Sequence, residues 1–362
     1  MSRHGFGIIG AGVIAQMHAE AIAGLAGARL VAVTDIAAGQ AAALAARHRA
    51  AAEPGPAALL ARDDIDVVCV CVPTGLHAEL GMQAAAAGKH LVVEKPIDVS
   101  LAAADQLIAA ARVAGVALTV ISQHRFDPGV VALRRLLEAG ALGRLVLGEA
   151  RTKWYRSQAY YDSAGWRGTW ALDGGALMNQ GIHYADLLRW SMGPVAEVTA
   201  VCATTSHQME AEDIALALLR FGSGAVGTLS ASTAAYPGFA QRLEISGTGG
   251  TAVIEDGELI LDSRLDGARG PGHGGQDRAG AGLAGAGANA AALGTDSHAA
   301  QLADLLDAID AGRAPAVTGQ DGRAALEIVC AAYESAREGR TVQLPGSGAA
   351  VAGPGTSGAA GR

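Results

Sequence analysis

The sequence predicts an α/β protein in which a doubly wound parallel sheet is followed by a domain with an antiparallel or mixed sheet. Short apolar runs alternate with alanine-rich helical stretches over residues 5–122, as expected when helices cover both faces of a sheet. After about residue 123 this alternation ends, and residues 195–261 contain several strand-like segments in succession. We therefore predict one domain over residues 1–123 and a second over residues 124–345.

Each element of the N-terminal domain is predicted from a local pattern. The strands are short, continuous apolar runs, and the helices are longer stretches rich in alanine, which has the highest helix propensity. We expect strands at residues 7–9, 30–33, 67–72, 91–93 and 118–121, and helices near residues 13–24, 37–48, 77–87 and 101–114.

The C-terminal domain is predicted to begin with a helix over residues 128–138. Turn residues then separate five strand segments, and two helices follow near residues 296–311 and 320–338. Residues 265–294 are mostly glycine and alanine and are expected to be a mobile loop, while residues 346–362 are expected to be a disordered tail. The five strands are expected at residues 195–203, 214–221, 225–233, 242–246 and 252–254.

Composition excludes several classes of function. The 362 residues carry 27 basic and 35 acidic side chains, a net charge of −8 without a basic block, so no nucleic-acid partner is expected. No apolar stretch reaches membrane-spanning length, and no signal peptide or metal site is predicted. The four cysteines lack CxxC spacing, and we expect reduced thiols in a cytoplasmic protein.

A glycine-rich turn after the first strand predicts a bound dinucleotide. Gly10, Gly12 and Ala15 fill the GxGxxA pattern of a Rossmann domain, where amide groups at the helix start hold the pyrophosphate. Asp35 ends the second strand and can bind both ribose hydroxyls while repelling a 2′-phosphate, which favours NAD over NADP. The alternative is a plain glycine turn in which Asp35 caps a helix.

Lys95 is the first candidate for acid/base chemistry. It lies just past the carboxyl end of a predicted parallel strand, between Glu94 and Pro96, and ligands collect at that edge of such a sheet. A cis peptide bond before Pro96 is one option. Burial near a cationic nicotinamide would lower the pKa of a lysine, as a general acid/base requires. The alternative is a surface lysine that ends a strand.

His183 is the second candidate. Asn179 lies four residues before it, which places both side chains on one face of a helix. His183 could share a proton with Lys95 or hold the reacting hydroxyl, and Asp186 could orient its imidazole. The alternative is a structural histidine that caps a helix over residues 184–190.

One 17-residue stretch is rich in aromatic and basic side chains, although aromatics make up only 4% of the chain. Aromatic rings stack on the apolar faces of sugars, and arginine binds carboxylate or phosphate through two hydrogen bonds. The alternative is a hydrophobic plug or a subunit contact. The stretch contains Trp154, Tyr155, Arg156, Tyr160, Tyr161, Trp166, Arg167 and Trp170.

Taken together, these motifs resemble the Gfo/Idh/MocA oxidoreductases, the group of glucose-fructose oxidoreductase and inositol dehydrogenase. The resemblance covers residues 7 to about 345, and its most specific part is Glu94-Lys95-Pro96. The other matching segments are residues 10–12, 71–77, 87–93, 125–128 and 181–188.

The resemblance implies a Rossmann domain followed by an α/β domain with an open, mainly antiparallel sheet, through which family members pair into homodimers or homotetramers. It assigns the catalytic roles to Lys95 and His183. We expect substrate binding by Lys95, Trp166, Arg167, Asn179 and His183, and cofactor binding by Gly10, Gly12, Val13, Ile14, Asp35, Pro73, Thr74, His77, Glu94 and Lys95.

Asn179 departs from the family pattern. Many members carry an aspartate four residues before the histidine, and its replacement by an amide puts a carboxylate proton relay in doubt and points away from the inositol dehydrogenases. Residues 153–155 and 166–175 are instead similar to the branch that holds UDP-N-acetylglucosamine-uronate 3-dehydrogenases.

The sequence therefore predicts an NAD-dependent dehydrogenase that acts on a secondary hydroxyl of a sugar, sugar derivative or cyclitol. Two alternatives remain open: a redox-neutral NAD-dependent glycosidase or epimerase, and a non-catalytic NAD-binding regulator on the same scaffold.

Overall fold

The computed structural model describes residues 4–268 and 294–345, and the first part of the chain forms a six-stranded parallel sheet. Its strands lie in the order β3-β2-β1-β4-β5-β6. The strands are β1 (His4–Ile9), β2 (Ala28–Thr34), β3 (Ala51–Ala52), β4 (Val67–Val70), β5 (His90–Val93) and β6 (Leu118–Val120), and the helices between them are α1 (Val13–Gly24), α2 (Ala38–His48), α3 (Pro56–Leu60), α4 (His77–Ala86) and α5 (Leu101–Ala114).

The strand order creates a crevice next to β1. β1 pairs with β2 on one side and β4 on the other, so the chain reverses its winding direction at this point. Every residue of β4 is buried, as expected for a strand covered on both faces. In such sheets ligands bind outside the carboxyl ends of the strands at this switch point.

The rest of the described chain builds an eight-stranded sheet in the order β13-β12-β11-β7-β10-β9-β8-β14. Only β7 and β10 pair in parallel; the other pairs are antiparallel. The strands are β7 (Leu145–Lys153), β8 (Val195–Ala203), β9 (Ile214–Phe221), β10 (Val226–Ser232), β11 (Arg242–Gly247), β12 (Gly250–Glu255), β13 (Glu258–Arg264) and β14 (Val342–Gln343), and the helices are α6 (Pro128–Glu138), α7 (Gln158–Asp162), α8 (Ile182–Met192), α9 (Asp296–Ala311) and α10 (Gly319–Glu338).

Helices cover one face of the second sheet and leave part of the other open. α8 packs on β7, and α10 packs on β8. Along β9, buried and exposed residues alternate, so Leu216 and Leu218 face outward while Leu219 joins the core. An apolar side chain on an uncovered sheet face is a common sign of a contact surface.

α9 returns to the first sheet. Leu302 and Leu305 pack in the same buried cluster as Ile22 of α1 and Phe6 of β1. The beginning of α9 is thereby carried to the crevice at the end of the parallel strands.

The predicted fold class is confirmed, and most predicted elements lie within two residues of the observed ones. Sequence reasoning missed β7, because polar residues such as Arg151 and Lys153 alternate with its buried residues, and it missed β13, whose single buried residue is the polar Asp262. It also missed the short elements β3, β14, α3 and α7. The predicted tail, and residues 269–293 of the predicted loop, lie outside the described residues.

Among the described residues, none of the helices combines the length and apolar character needed to cross a membrane.

Candidate active site

The glycine turn has the backbone geometry that a dinucleotide needs. Gly10 adopts a φ of +97°, and a Cβ there would lie 2.2 Å from the carbonyl oxygen of Cys71. Gly12 is the N-cap of α1, no side chain caps this helix end, and a Cβ at Gly12 would meet nothing within 4 Å. The free amide groups and the open space beside Gly12 fit a bound pyrophosphate.

Asp35 holds the same turn from the neighbouring strand. Its carboxylate accepts hydrogen bonds from the amides of Ala11 at 2.6 Å and Ala37 at 2.7 Å. Asp35 therefore anchors the segment before α2, but it is not the helix cap that the alternative expected, because the N-cap is Ala37 and no side chain caps this helix. Asp35 also lies on the cleft wall. Its role in choosing NAD over NADP stays a prediction.

One cleft of about 680 Å³ extends from the glycine turn to the second sheet. All fourteen residues assigned from the sequence to catalysis, cofactor or substrate line it, although 173 positions separate the first from the last. These are Gly10, Gly12, Val13, Ile14, Asp35, Pro73, Thr74, His77, Glu94, Lys95, Trp166, Arg167, Asn179 and His183.

His77 joins the two loops that flank the cleft. Its Nδ1 lies 2.7 Å from the carbonyl oxygen of Pro96 and its Nε2 lies 2.9 Å from that of Val72. Burial lowers the pKa of His77, so the neutral ring can donate to only one of these oxygens. With both nitrogens facing backbone, His77 is placed to hold the loop geometry.

Lys95 points at an amide from the far side of the cleft. Its Nζ donates to the backbone oxygen of Asn179 at 2.8 Å and to Oδ1 of the same residue at 3.1 Å. Burial lowers the pKa of Lys95, against the opposing charges of Glu94 and Asp173. The Lys95–Pro96 peptide bond is cis. A lowered pKa makes the neutral amine, the form that can accept a proton, easier to reach.

Asn179 lies in a π-helical turn over residues 177–181 that leads into α8, a type of turn often found at functional sites. Its Nδ2 donates a short hydrogen bond to Oδ1 of Asp173. The other oxygen of Asp173 accepts from the amide of Gly168 at 2.8 Å. Asp173 was not predicted as a site residue; its position directly before Gly174-Gly175 was the available signal.

His183 lies inside α8 and is not its cap, so the capping alternative is wrong. Burial and the positive charge of Lys95 hold the pKa of His183 well below its usual range. Its ring packs edge-on against His124, with centroids 5.0 Å apart. His183 is therefore neutral and close enough to Lys95 to sense its charge.

The predicted orientation of His183 by Asp186 is wrong. Asp186 forms a buried, two-pronged ion pair with Arg125, at 2.7 Å from Nε and 2.5 Å from a terminal guanidinium nitrogen. Arg125 reaches Asp321 of α10 at 3.2 Å as well. Arg125 lies in the segment after β6, so this ion pair connects that segment to α8. The carboxylate of Asp186 is therefore bound to the guanidinium group of Arg125 and not to His183.

A buried histidine and glutamate pair lies behind the lysine. His18 of α1 and Glu94 are 2.7 Å apart, and His298 of α9 completes a group whose potential ligand atoms all lie within 4.8 Å. Burial raises the pKa of Glu94, but the hydrogen bond and charge of His18 outweigh it and lower that pKa to about 2. No sequence motif pointed to His18 or His298.

The aromatic and basic stretch divides into two groups. Arg167 lies over the rings of Tyr160 at 4.3 Å and Trp166 at 4.5 Å, and it donates to the Tyr160 hydroxyl at 2.7 Å. The cleft wall includes Trp154, Arg156, Tyr160, Trp166 and Arg167. The other three pack elsewhere: Tyr155 on Tyr236, Tyr161 on His207 and Trp170 on Tyr333.

The fold and the cleft define a dinucleotide-dependent oxidoreductase. Residues 4–122 match the model of an oxidoreductase family with an NAD-binding Rossmann fold, and residues 130–253 match the GFO/IDH/MocA C-terminal domain. The chain belongs to the GFO/IDH/MocA family, and the predictions of family, NAD as cofactor and dehydrogenase activity are confirmed.

Relatives of this chain include a cyclitol dehydrogenase and a sugar dehydrogenase. It is 30% identical to inositol 2-dehydrogenase of Rhizobium meliloti over 94% of this chain and 98% of that protein. It is also 30% identical to D-apiose dehydrogenase of Paraburkholderia graminis, over 93% of this chain and 88% of the relative.

A similar solved structure is that of the WlbA dehydrogenase from Bordetella pertussis in complex with NADH and UDP-GlcNAcA. The two chains superpose with a TM-score of 0.84 at 30% identity, covering 95% of this chain and 99% of the other.

Proposed function

We propose that this NAD-dependent oxidoreductase oxidises a secondary hydroxyl of an anionic sugar, sugar derivative or cyclitol, with Lys95 as general base. The observation that carries the proposal is the placement of Lys95. Its amine lies in the cleft that joins the cofactor turn to the aromatic stretch, and both oxygens of Asn179 accept from it.

Those two contacts determine what the amine can do. A neutral amine has two N–H bonds and one lone pair, and Asn179 offers acceptors for both N–H bonds. The lone pair remains for a substrate hydroxyl. Burial, which lowers the pKa of Lys95, makes this neutral state accessible.

In the forward reaction Lys95 Nζ takes the hydroxyl proton of the substrate. The electron pair of the broken O–H bond forms the second bond of the carbonyl group. The carbon–hydrogen bond breaks at the same centre, and NAD⁺, when bound at the glycine turn, would supply the acceptor for the hydride. The products are a ketone, NADH and a protonated lysine.

His183 is proposed to position the same hydroxyl. The ring is neutral because burial and Lys95 lower its pKa, so one nitrogen can accept and the other can donate a hydrogen bond. A neutral ring also avoids adding a second cation beside Lys95 when that residue is protonated.

Two arginine side chains on the cleft wall support an anionic group on the substrate. Arg156 and Arg167 both line the cleft, and each lies over the ring of Tyr160, at 5.6 Å and 4.3 Å. Stacking fixes the guanidinium planes, and a fixed guanidinium binds a carboxylate or phosphate in two-pronged fashion. Trp154 and Trp166 can stack on the sugar ring beside them.

The test is a panel of matched pairs, each a neutral sugar or cyclitol and its uronate or phosphorylated form, assayed by NADH formation. We expect turnover with anionic members and a higher KM for neutral ones. Preference for neutral members would overturn the anionic assignment. Tightly bound NAD without net NADH would indicate a redox-neutral reaction, and NAD binding without any turnover would indicate a regulator.

We further propose that the protein is a homo-oligomer that pairs through the open sheet face. The outward residues of β8, β9 and β10 form a surface in which the apolar side chains of Val201, Leu216 and Leu218 are more than half exposed and lie beside hydroxyl-bearing residues. Burial of such a surface against a second copy removes apolar area from water, at about 25 cal/mol per Å². We define this surface as Thr199, Val201, Leu216, Leu218, Thr228 and Ser230.

Two other properties are proposed. A cytoplasmic location fits the unpaired thiols of Cys69 and Cys71, which are buried in the core of the first sheet. A domain boundary near residue 123 fits the separation of the two sheets along the sequence, since β6 ends at Val120 and β7 begins at Leu145.

A further inference from the structure

The contact between Lys95 and Asn179 depends on which way an amide points. The oxygen of the Asn179 side chain faces the Lys95 amine at 3.1 Å, and an amide turned by half a rotation would present its NH2 group to the amine instead. The N–H bonds of the amine cannot hydrogen-bond to an NH2 group, and an NH2 group that donated to the lone pair would occupy the base itself. The contact therefore requires something that fixes the amide.

We propose that Asp173 is a positioning residue for Lys95 and acts through the side-chain amide of Asn179. Oδ1 of Asp173 accepts a short hydrogen bond from Nδ2 of Asn179, which leaves Oδ1 of Asn179 for the lysine. Burial raises the pKa of Asp173, and the hydrogen bonds from Gly168 and Asn179 oppose this effect. In its ionised form the carboxylate has no proton to donate, so it binds only the NH2 end of the amide. The inference rests on the proposed role of Lys95 as general base.

Asp173 is itself firmly held. It is 1% exposed, its Oδ2 accepts from the amide of Gly168 at 2.8 Å, and its own amide donates to the carbonyl oxygen of Thr169 at 3.1 Å. Both carboxylate oxygens are therefore committed, one to backbone and one to Asn179. A buried carboxylate with fixed partners transmits its orientation to the group it binds.

The carboxylate also supplies charge. Asp173 and Glu94 raise the pKa of Lys95, while burial, Arg167 and Arg156 lower it. His183 is the other titratable group beside the lysine, and it stays neutral. The resemblance placed an aspartate at position 179 in many family members. In this chain the negative charge lies one hydrogen bond farther from the lysine, at position 173.

This arrangement explains why position 179 holds an amide. An aspartate at both 173 and 179 would place two carboxylates within hydrogen-bond distance, and one of them would have to keep a proton. Exchanging the two side chains would instead keep one carboxylate and one amide, with the charge now in contact with Lys95.

The test compares Asp173→Asn, Asn179→Asp and the exchanged double variant, with the exposed Asp63→Asn as control. In Asp173→Asn the new NH2 group competes with that of Asn179, and kcat should fall by about 10²-fold, the cost of a small misplacement. The rising limb of the kcat/KM pH profile should move to lower pH, because a charge that raises the pKa of Lys95 is gone.

The double variant should have a kcat at least tenfold higher than that of Asp173→Asn. The rising limb of its kcat/KM pH profile should lie at the same pH as in the wild type or at a higher pH. Partial unfolding alone cannot move the rising limb of the kcat/KM profile to lower pH in Asp173→Asn and return it in the double variant. NAD affinity and Tm should stay near wild type in the exchanged variant and in Asp63→Asn. If Asp173→Asn does not fold, the comparison of Asn179→Asp with the double variant still decides, since only the single variant holds two carboxylates.

Wild-type kcat with an unmoved limb in Asp173→Asn, or a double variant no more active than the better single one, would overturn the role of Asp173. Lys95→Ala separates this from the proposed function. If Lys95→Ala is inactive and the exchanged double variant is no more active than the better single variant, the positioning role of Asp173 is wrong and the general-base role of Lys95 stands. If Lys95→Ala keeps wild-type turnover, the general-base proposal fails, and the positioning role fails with it.

Discussion

The amine of Lys95 lies 2.8 Å from the backbone oxygen and 3.1 Å from the side-chain oxygen of Asn179, a residue 84 positions further along the chain. The contact links the end of a parallel strand to the start of α8 across the cleft. The cleft, the buried pair behind it and the open sheet face each lead to testable expectations, apart from the exchange at positions 173 and 179.

Lys95→Ala should lower kcat by about 10²–10⁴-fold with folding and NAD affinity near normal, because a general base contributes that much. The kcat/KM of the wild type should rise with pH as the lysine loses its proton, and this limb should vanish in the variant. Steady-state kinetics across pH measure both effects. The exposed Lys153→Ala is the control, and wild-type turnover by Lys95→Ala would end the mechanism.

His183→Ala should also lower kcat. Because His183 and Lys95 act on one hydroxyl, the double variant should lose less than the product of the two single losses. A complete double-mutant cycle in kcat measures this coupling. Losses that simply multiply would show that the two residues act independently.

Asp35→Ala should narrow the preference for NAD over NADP by about tenfold or more. The carboxylate would otherwise hydrogen-bond the ribose hydroxyls, each bond to a charged group contributing about 1.5–3 kcal/mol, and repel a 2′-phosphate. Calorimetric titration of both cofactors gives the ratio. The assignment fails if the wild type binds NADP more tightly.

Trp166→Ala and Arg167→Ala should raise KM by about tenfold or more and leave NAD affinity unchanged, since both side chains line the cleft beyond the lysine. A stacking or charge-assisted contact contributes roughly 1–3 kcal/mol. Trp170→Ala is the matched control, because Trp170 packs on Tyr333 away from the cleft. Unchanged KM in both test variants would make this stretch structural.

Glu94→Gln should destabilise the fold by about 3 kcal/mol or more at neutral pH, because it leaves His18 without its buried carboxylate partner. The pKa of Glu94 in the folded protein is about 2, below that of an unfolded glutamate, roughly 4.3. A lowered carboxyl pKa stabilises the fold above the unfolded value, and this contribution is lost as pH falls through the folded value.

The difference in unfolding free energy between wild type and Glu94→Gln should therefore shrink as pH falls from about 4 toward about 2. Urea unfolding without NAD measures it. The exposed Glu20→Gln, on the same helix as His18, is the control. A difference that does not change with pH would show that the pair is not ionised.

Leu218→Lys should lower the molecular mass in solution if the open sheet face joins two copies, because a charge would be buried at the contact. Light scattering after size exclusion measures the mass, with the exposed Val113→Lys on α5 as control. An oligomeric mass that is unchanged in Leu218→Lys would show that the subunit contact lies elsewhere. A monomeric wild type would show that the protein does not form a homo-oligomer.

The sequence predicted much of the fold because its patterns are local. Continuous apolar strands between alanine-rich helices specify a covered parallel sheet, and the observed helix over Pro128–Glu138 has the predicted bounds. β7 was missed for the opposite reason. Its alternating polar residues are stabilised as a strand by pairing with β10 and β11, which lie about 75 and 90 residues further along the chain.

The amino-acid sequence by itself determined the cofactor turn, the two candidate residues Lys95 and His183, and the family, because each is written in a short, spaced motif. Only the tertiary structure decided their partners. Asp186 pairs with Arg125, His18 with Glu94, and Asp173 reaches Lys95 through Asn179. Hydrogen bonds and charge pairs in a buried site are set by the packing of distant segments, which no local spacing encodes.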